Sequence, residues 1–299
     1  VPARLQGQKA ETGGRVEIFL VRRLEARELE VAPGETRTVD VWRALGKASK
    51  ALRFGADIRI GSLWARLLGR ADDDGLLEVA LWRTDGGTVD DGIRAHGHVP
   101  LPPYIKRSDE AADAERYQTV FARVDGAIAA PTAGLHLTRA LVGRLAVKGC
   151  ELAAVTLHVG LGTFQPVTVE DLDQHPMHAE PFHISRTTAD AIARARAEGR
   201  PVVAIGTTVV RALEAAADPE RPGHVLAEAR ETRLLIQPGY RFRVVDHLLT
   251  NFHLPKSTLL ALVCAFGGTE EVLAAYRAAV EAEYRFYSYG DAMFLTRRV

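Results

Sequence analysis

The chain has only two cysteines, Cys150 and Cys264, and each lies in an apolar stretch. Two cysteines are too few for a disulfide framework, and neither has the spacing of a zinc site, which is typical of a protein from a reducing compartment. The sequence also lacks a run of about 18 apolar residues and a basic segment followed by an apolar one at its start. We therefore expect a cytoplasmic protein without a membrane partner.

Charge of one sign is not in excess, because 38 Lys and Arg balance 38 Asp and Glu. The total charge therefore does not indicate nucleic-acid binding, although a local basic face remains open. Hydrophobic residues make up 47% and charged residues 25% of the 299 positions. These values exclude disorder, collagen-like repeats and coiled coil, and the length predicts two domains or one large domain.

Short strands are predicted over residues 13–98. Apolar residues alternate with polar ones around Val16, Val39, Ile58 and Val79, a period of two that is typical of half-buried strands. Glycine- and aspartate-rich turns separate them. About five or six such strands predict a small antiparallel β-barrel.

A proline-rich connector at residues 99–104 predicts a domain boundary, because proline fixes φ and removes hydrogen-bond donors. Beyond it, caps and glycine stops predict helices that begin near Thr138, Ser185, Thr207 or Thr208, Ser257 and Glu270. Buried strands are predicted at 152–157 and 202–205. This alternation predicts an α/β domain with helices on both faces of a large, mostly parallel sheet. The predicted domains are a discontinuous α/β domain, 1–12 and 99–299, and an inserted barrel, 13–98.

Two loops that lead from a strand into a helix are candidates for anion binding, because helix N-termini present free N–H groups. One holds Gly206, Thr207 and Thr208, and the alternative is that a threonine serves there only as the N-cap. The other, residues 250–258, mixes polar, aromatic and cationic side chains.

Several histidines lie where chemistry is expected. His136 precedes a predicted helix, and His158 follows an apolar strand and enters a loop with Gly160 and Gly162, which is a weak phosphate signature. The alternative for each histidine is a hydrogen-bonded core residue. A second cluster holds His175, His178, Glu180 and His183, but Pro176 and Pro181 forbid the regular helix of a zincin site. No metal is expected, and a metal-dependent hydrolase is kept as the alternative function.

Ten short segments, in order along the chain, resemble one family, the S-adenosylmethionine:tRNA ribosyltransferase-isomerases of queuosine biosynthesis. The matching segments are PARL (2–5), TGG (12–14), PLPPYI (100–105), RYQTV (116–120), AAPTAGLH (129–136), TLHVGLGTF (156–164), MHAE (177–180), GTT (206–208), TNFHLP (250–255) and YSYGDAM (287–293). Because the chain opens on Val1 rather than Met, and family members normally have several dozen residues before this point, we expect that an N-terminal piece is missing.

The resemblance implies a transferase and isomerase of tRNA modification. Such an enzyme moves the ribosyl moiety of S-adenosylmethionine onto the 7-aminomethyl-7-deazaguanine at the tRNA wobble position. The product is epoxyqueuosine-tRNA, and adenine and methionine are released. S-adenosylmethionine is then a consumed substrate, and no metal or redox cofactor is implied. The implied fold is an α/β domain with an inserted β-barrel, and we expect a monomer.

The matched motifs give three groups of candidate residues. The catalytic candidates are His136, His158, His178, Glu180, His253 and Asp291, with His158 or His136 as the base that removes a proton from the carbon beside the sulfonium. The substrate-binding candidates are Thr132, Gly160, Gly162, Phe164, Gly206, Thr207, Thr208, Asn251 and Phe252, with the methionine carboxylate at Gly206–Thr208 and adenine stacked on Phe164 or Phe252. The candidates for tRNA binding are Arg4, Lys9, Lys106, Arg107, Arg116 and Lys256.

Overall fold

The computed structural model describes residues 3–48, 52–71, 76–101, 105, 107–123, 129–158, 172–174, 177 and 179–298. The chain divides into two compact units, Val1–Glu115 and Arg116–Val299. Each unit is built around its own cluster of buried apolar side chains. The protein is a mixed α/β fold, as the sequence predicts.

The first unit is a closed antiparallel barrel of six strands. The unit has eight strands in all: β1 (Arg4–Lys9), β2 (Arg15–Arg23), β3 (Arg27–Ala32), β4 (Glu35–Ala48), β5 (Asp57–Ile60), β6 (Leu63–Arg70), β7 (Leu77–Arg83) and β8 (Gly97–His98). The order β2-β1-β5-β6-β7-β4 closes through the pairing of β4 with β2, while β3 and β8 pair at the margins. The predicted barrel is confirmed.

The alternation of side chains explains the barrel core. In β2, Val16, Ile18 and Leu20 are buried while the residues between them are more exposed. Successive strand residues point to opposite faces, so one face of each strand fills the barrel. Helix α1 (Val89–His96) begins at the N-cap Thr88 and adds buried Ile93 to this core.

The boundaries of the first unit differ from the predicted ones. Residues 1–12 were predicted to belong with the α/β domain, yet β1 pairs with β2 and β5, and its Leu5 is fully buried in the barrel. Beyond the predicted boundary at residue 99, the N–H of Val99 donates to Asp109 Oδ2 at 3.0 Å. Strand β1 and Val99 are therefore both hydrogen-bonded within the first unit, which extends to Glu115.

The second unit holds two small sheets and most of the helices. Its strands are β9 (Val155–Leu157), β10 (Glu180–Ile184), β11 (Val203–Ile205), β12 (Ala229–Thr232), β13 (His247–Asn251) and β14 (Ala292–Thr296). Helix α2 (Ala111–Arg116) crosses the boundary between the units, and after it come α3 (Arg139–Val147), α4 (Arg186–Ala197), α5 (Thr207–Ala215), α6 (Thr258–Gly267) and α7 (Thr269–Glu281). Single 3-10 turns lie at Thr132–His136 and Leu172–Gln174.

Three of the predicted helix starts are confirmed by side-chain caps. Thr138, Ser185 and Ser257 each accept a hydrogen bond from the backbone N–H three residues later. Such a cap satisfies a donor that has no partner within the helix. The predicted strands at 152–157 and 202–205 are confirmed in shorter form as β9 and β11.

The predicted large, mostly parallel sheet is wrong. The described residues form two three-stranded sheets, β12-β10-β9 and β11-β13-β14, and among their pairs only β11 with β13 is parallel. No described α-helix separates β9 from β10. Antiparallel neighbours need no long crossover, whereas parallel strands do.

No single helix in the described part of the chain is long and apolar enough to cross a membrane. The pair α6 and α7 meets the length and composition criteria together, but the two helices are bent by 112° at their junction.

Candidate active site

Three residues from two distant parts of the sequence meet at the end of β13. Asn251, the last residue of β13, places its Nδ2 2.9 Å from His136 Nε2, across a sequence separation of 115 residues. The Asn251 Oδ1 accepts a hydrogen bond from Thr132 Oγ1 at 3.3 Å. Thr132 and His136 are the first and last residues of one 3-10 turn. The structure therefore brings together one catalytic candidate and two substrate-binding candidates.

The backbone of Tyr287 completes this arrangement. Asn251 Nδ2 donates to the Tyr287 carbonyl at 3.1 Å, and the Tyr287 N–H donates to the Phe252 carbonyl at 3.0 Å. Tyr287 has a φ of 71°, which is uncommon for a residue with a side chain. Tyr287 lies in a matched motif, but sequence reasoning gave it no role, because a carbonyl leaves no trace in the pattern of side chains.

Asn251 is 3% exposed, and both atoms of its amide are engaged with protein groups. An amide offers two donor hydrogens and one acceptor oxygen, and the two donors are already used. The expected direct contact of Asn251 with substrate is therefore not supported. Its amide NH₂ group contacts His136 and the Tyr287 carbonyl instead.

The first turn of α5 lies beside the same 3-10 turn. Gly206 has a φ of 98°, and a Cβ built on it would lie 3.5 Å from the Cβ of Ala133. Gly206 is the N-cap of α5 and makes no side-chain cap, so the alternative that Thr207 or Thr208 is the N-cap is wrong. Both threonines are buried within the first turn. The site therefore combines a helix N-terminus with a histidine.

His136 is half-buried. Burial lowers its pKa below the ordinary value of 6.5, and the nearby Asp291 carboxylate opposes this with a smaller raising effect. Loss of solvation disfavours the imidazolium, while a negative charge favours it. The net result is an uncharged ring at neutral pH.

Asp291 also closes the loop that carries Tyr287. Its Oδ2 accepts the Arg285 N–H at 2.7 Å, and its own N–H donates to the Arg285 carbonyl at 2.7 Å. The Arg285 guanidinium lies 3.6 Å from Oδ1. Asp291 therefore acts on His136 through charge, and its hydrogen bonds to described residues fix the loop.

His253 is held in a different way. Its Nε2 lies 2.8 Å from Thr250 Oγ1, and its N–H donates to the Tyr276 hydroxyl oxygen at 2.8 Å. Burial lowers the pKa of His253 to about 4. The sequence makes His253 a catalytic candidate, but proton exchange by its side chain near neutral pH is not supported, because the ring stays uncharged there.

Phe252 is 4% exposed and lies in an aromatic cluster. Its ring centroid is 4.9 Å from that of Phe286, 5.2 Å from Tyr276 and 6.0 Å from Tyr284. Aromatic pairs at these distances stabilise one another. The expected stacking of adenine on Phe252 is not supported, because protein rings surround its side chain.

Glu180 forms a buried ion pair with Arg211, which sequence reasoning missed. Arg211 Nη1 donates to Glu180 Oε2, and Arg211 Nε donates to the Leu234 carbonyl at 3.0 Å. The pair joins β10 to α5. Burial lowers the pKa of Arg211, against the raising effect of Glu180. Glu180, a catalytic candidate, is thus paired with a cationic side chain of the protein itself. The sequence signal that could have revealed the pair is an arginine within the apolar run of α5.

His158 follows β9 directly. Its N–H donates to the Pro181 carbonyl at 3.0 Å and extends the pairing of β9 with β10. The His158 side chain is half-buried and makes no hydrogen bond to another described residue. Strand β9 packs against α5, the helix whose first turn borders the site. His158 therefore remains a candidate for the base.

Other predicted residues lie outside the described part of the chain: Lys106, Gly160, Gly162, Phe164, His175 and His178. His183 is described and exposed. Within the described ranges, no group of three His, Cys, Asp or Glu side chains is arranged to hold a metal ion.

The basic candidates differ in what they contact. Arg4 Nε lies 2.9 Å from Glu17 Oε2, and Arg107 forms an ion pair with Asp113 at 2.5 Å. Both arginines are thus bound to carboxylates of the first unit. The remaining described candidates are exposed or lie at a strand end: Lys9, Arg116 and Lys256.

Comparison with known proteins agrees with the sequence motifs. Residues 1–295 match the family model described as queuosine biosynthesis protein. The S-adenosylmethionine:tRNA ribosyltransferase-isomerase of Sorangium cellulosum (strain So ce56) is 63% identical over 304 residues, which cover 99% of this chain and 81% of that protein. The protein of the same name from Citrifermentans bemidjiense is 52% identical over 299 residues, with coverage of 99% and 81%.

A crystal structure of the S-adenosylmethionine tRNA ribosyltransferase from Thermotoga maritima is 32% identical in sequence. The match covers 98% of this chain and 78% of the Thermotoga maritima chain, with a TM-score of 0.44. The family model and the near full-length identities together show that this chain belongs to the queuosine biosynthesis protein family.

Proposed function

We propose that this enzyme transfers and isomerises the ribosyl moiety of S-adenosylmethionine onto the 7-aminomethyl-7-deazaguanine of tRNA. The products are epoxyqueuosine-tRNA, adenine and methionine. The observation that carries the proposal is the convergence of His136, Thr132, Asn251 and Gly206 at one place, in a chain of this family. The curated relatives are named for the two substrates, S-adenosylmethionine and tRNA.

The methionine carboxylate of S-adenosylmethionine is proposed to bind at the first turn of α5. A helix N-terminus offers free N–H groups and a partial positive charge, both of which favour an anion. Gly206 leaves room for close backbone approach, and the neighbouring 3-10 turn ends in His136. A carboxylate at this turn would place the sulfonium and ribose within the region of the catalytic candidates.

The chemistry needs a base near the sulfonium. The positive sulfur acidifies the adjoining 5′ carbon, and removal of that proton allows adenine to leave before the amine attacks. His136 and His158 are the candidates. His136 is uncharged at neutral pH, which a base requires, and His158 has no hydrogen bond from its side chain to a described residue.

The tRNA is proposed to contact exposed basic residues, of which Arg116 and Lys256 are the described candidates without a carboxylate partner. The wobble base lies in an anticodon loop and is unpaired, so it can be read in a pocket. A monomeric state and a cytoplasmic location complete the proposal. S-adenosylmethionine is proposed as a consumed substrate, without a metal or redox cofactor.

Chromatography of small-molecule products tests the function. The chain is incubated with S-adenosylmethionine and tRNA that carries the aminomethyl-deazaguanine, and adenine and methionine are quantified. Adenine release that depends on the modified tRNA is expected, and its absence would contradict the proposal. The family assignment does not support the hydrolase alternative, so a chelator is expected to leave adenine release unchanged.

Single-turnover assays of His136→Gln and His158→Gln identify the base. Loss of a general base costs about 10²- to 10⁴-fold in rate. A variant that keeps a rate near that of the wild type is excluded as the base.

A further inference from the structure

The orientation of the Asn251 amide is fixed by its neighbours. The Tyr287 carbonyl 3.1 Å away has no hydrogen to give, so the amide atom that faces it must be the NH₂ group. The Thr132 hydroxyl can donate to the opposite side, where the oxygen then lies. An amide turned the other way would place two acceptors against each other at Tyr287. The same NH₂ group therefore faces His136.

The Tyr287 carbonyl is itself held in place. Its oxygen also accepts the Gly290 N–H at 3.0 Å, and the Tyr287 N–H is bound to the Phe252 carbonyl. A φ of 71° at a tyrosine persists only where the surrounding contacts determine it. The acceptor that orients Asn251 is thus a rigid backbone group.

This orientation decides the protonation of His136. A donor 2.9 Å from Nε2 requires a lone pair on that nitrogen, so the uncharged ring carries its hydrogen on Nδ1. His136 Nδ1 makes no hydrogen bond to any other residue that the structure describes. Nδ1, the ring nitrogen that could contact a substrate, is therefore a hydrogen-bond donor.

We propose that Asn251 is a positioning residue that holds His136 as the Nδ1–H tautomer, so that the ring donates a hydrogen bond to an acceptor atom of the nucleoside substrate. The part of the proposal that concerns substrate rests on the proposed function. In this tautomer Nδ1 has no lone pair with which to take the proton from the 5′ carbon. Of the two candidates for the base, the structure leaves that step to His158.

Nitrogen NMR tests the tautomer without any substrate. The full chain is labelled with ¹⁵N-histidine, long-range ¹H–¹⁵N correlations are recorded at about pH 8, above the ordinary histidine pKa, and His136→Gln identifies the His136 signals. A protonated Nδ1 and an unprotonated Nε2 are expected. A protonated Nε2, or an equal mixture of tautomers, would overturn the proposal.

Two variants test the role of Asn251. In Asn251→Asp the carboxylate can only accept, so the His136 hydrogen is expected to move to Nε2. In Asn251→Ala the donor is lost, and the Nε2–H form is expected to become populated. Thr250→Val is the matched control, because Thr250 is the buried neighbour that contacts His253 instead. It should leave the His136 signals unchanged, and unchanged signals in the Asn251 variants would contradict the positioning role.

Turnover separates this inference from the proposed function. Asn251→Asp is expected to lower kcat for adenine release on the order of 10²-fold, with a far smaller change in KM for S-adenosylmethionine. His158→Gln is expected to lose more rate than His136→Gln. If the wild-type chain releases no adenine while His136 is the Nδ1–H form, the function fails and the tautomer stands. If adenine is released and His136 is the Nε2–H form, this inference fails alone.

Discussion

Arg211 Nη1 in α5 hydrogen-bonds to Glu180 Oε2 in β10, and both residues are more than nine-tenths buried. The pair joins α5, whose first turn lies beside the 3-10 turn of His136, to β10, which is paired with β9. Removing one partner of a buried pair leaves an uncompensated charge, which costs about 3 to 5 kcal/mol.

Glu180→Gln is therefore expected to lower the free energy of unfolding by about 3 kcal/mol, measured by urea denaturation. The exposed pair of Arg186 with Asp190 in α4 gives the control. Asp190→Asn should cost no more than about 0.5 kcal/mol. Equal losses in both variants would show that the Glu180 pair is not shielded from solvent.

Because His253 is buried and uncharged, the free energy of unfolding is expected to fall as the pH falls. Its pKa is about 4 in the folded chain against 6.5 for the ordinary group, so below about pH 6.5 the unfolded chain takes up a proton that the folded chain refuses. Stability is therefore lost as the pH falls from about 6.5 to about 4, on the order of 3 kcal/mol.

The test compares unfolding free energies of the wild type and His253→Gln across this pH range. The variant should lack this part of the acid-side loss. His183→Gln replaces an exposed histidine, and this variant should still show the full acid-side loss of stability. Parallel pH curves for the wild type and His253→Gln would contradict the assignment.

Asp291→Asn should lower the pKa of His136 further, because it removes the charge that opposes the effect of burial. The asparagine oxygen can still accept the Arg285 N–H, so the loop should stay closed. An NMR titration of His136 measures the shift. Glu283→Gln neutralises an exposed carboxylate just after α7, and it should leave the pKa of His136 unchanged. A raised or unaltered pKa in Asp291→Asn would refute the charge effect.

Glu214 is fully buried and accepts three backbone N–H groups, from Arg243 at 2.8 Å and from Val244 and Val245 at 3.0 Å each. In Glu214→Gln the new NH₂ group must face one of these donors, which leaves buried donors without an acceptor. The expected cost is about 1 to 3 kcal/mol.

Amide hydrogen exchange at residues 243–245 measures this cost locally, and urea denaturation measures it globally. Faster exchange at these amides is expected in Glu214→Gln. Glu220→Gln alters an exposed carboxylate that follows α5, the helix of Glu214, and it should leave the hydrogen exchange of residues 243–245 unchanged. Protection equal to that of the wild type would show that the buried carboxylate does not hold the loop.

Helix starts and barrel strands could be predicted because they are local. Thr138 and Ser185 cap helices through bonds to residues three positions later, and Val16 and Ile18 share a face because side chains alternate along a strand. Strand direction could not be predicted in the second unit. Direction depends on which strands pair, and β13 pairs parallel with β11 and antiparallel with β14, so its own apolar pattern does not reveal the direction of its neighbours.

The sequence by itself determined the barrel, the helix ends, and the motifs that show the family. Only the tertiary structure decided how the polar side chains of those motifs are used. Asn251 hydrogen-bonds to His136 from 115 positions away, and Glu180 accepts a hydrogen bond from Arg211. The Tyr287 carbonyl accepts a hydrogen bond from the Asn251 amide. The physical reason is that hydrogen-bond partners are set by distance in space, and a backbone oxygen looks the same at every position of a sequence.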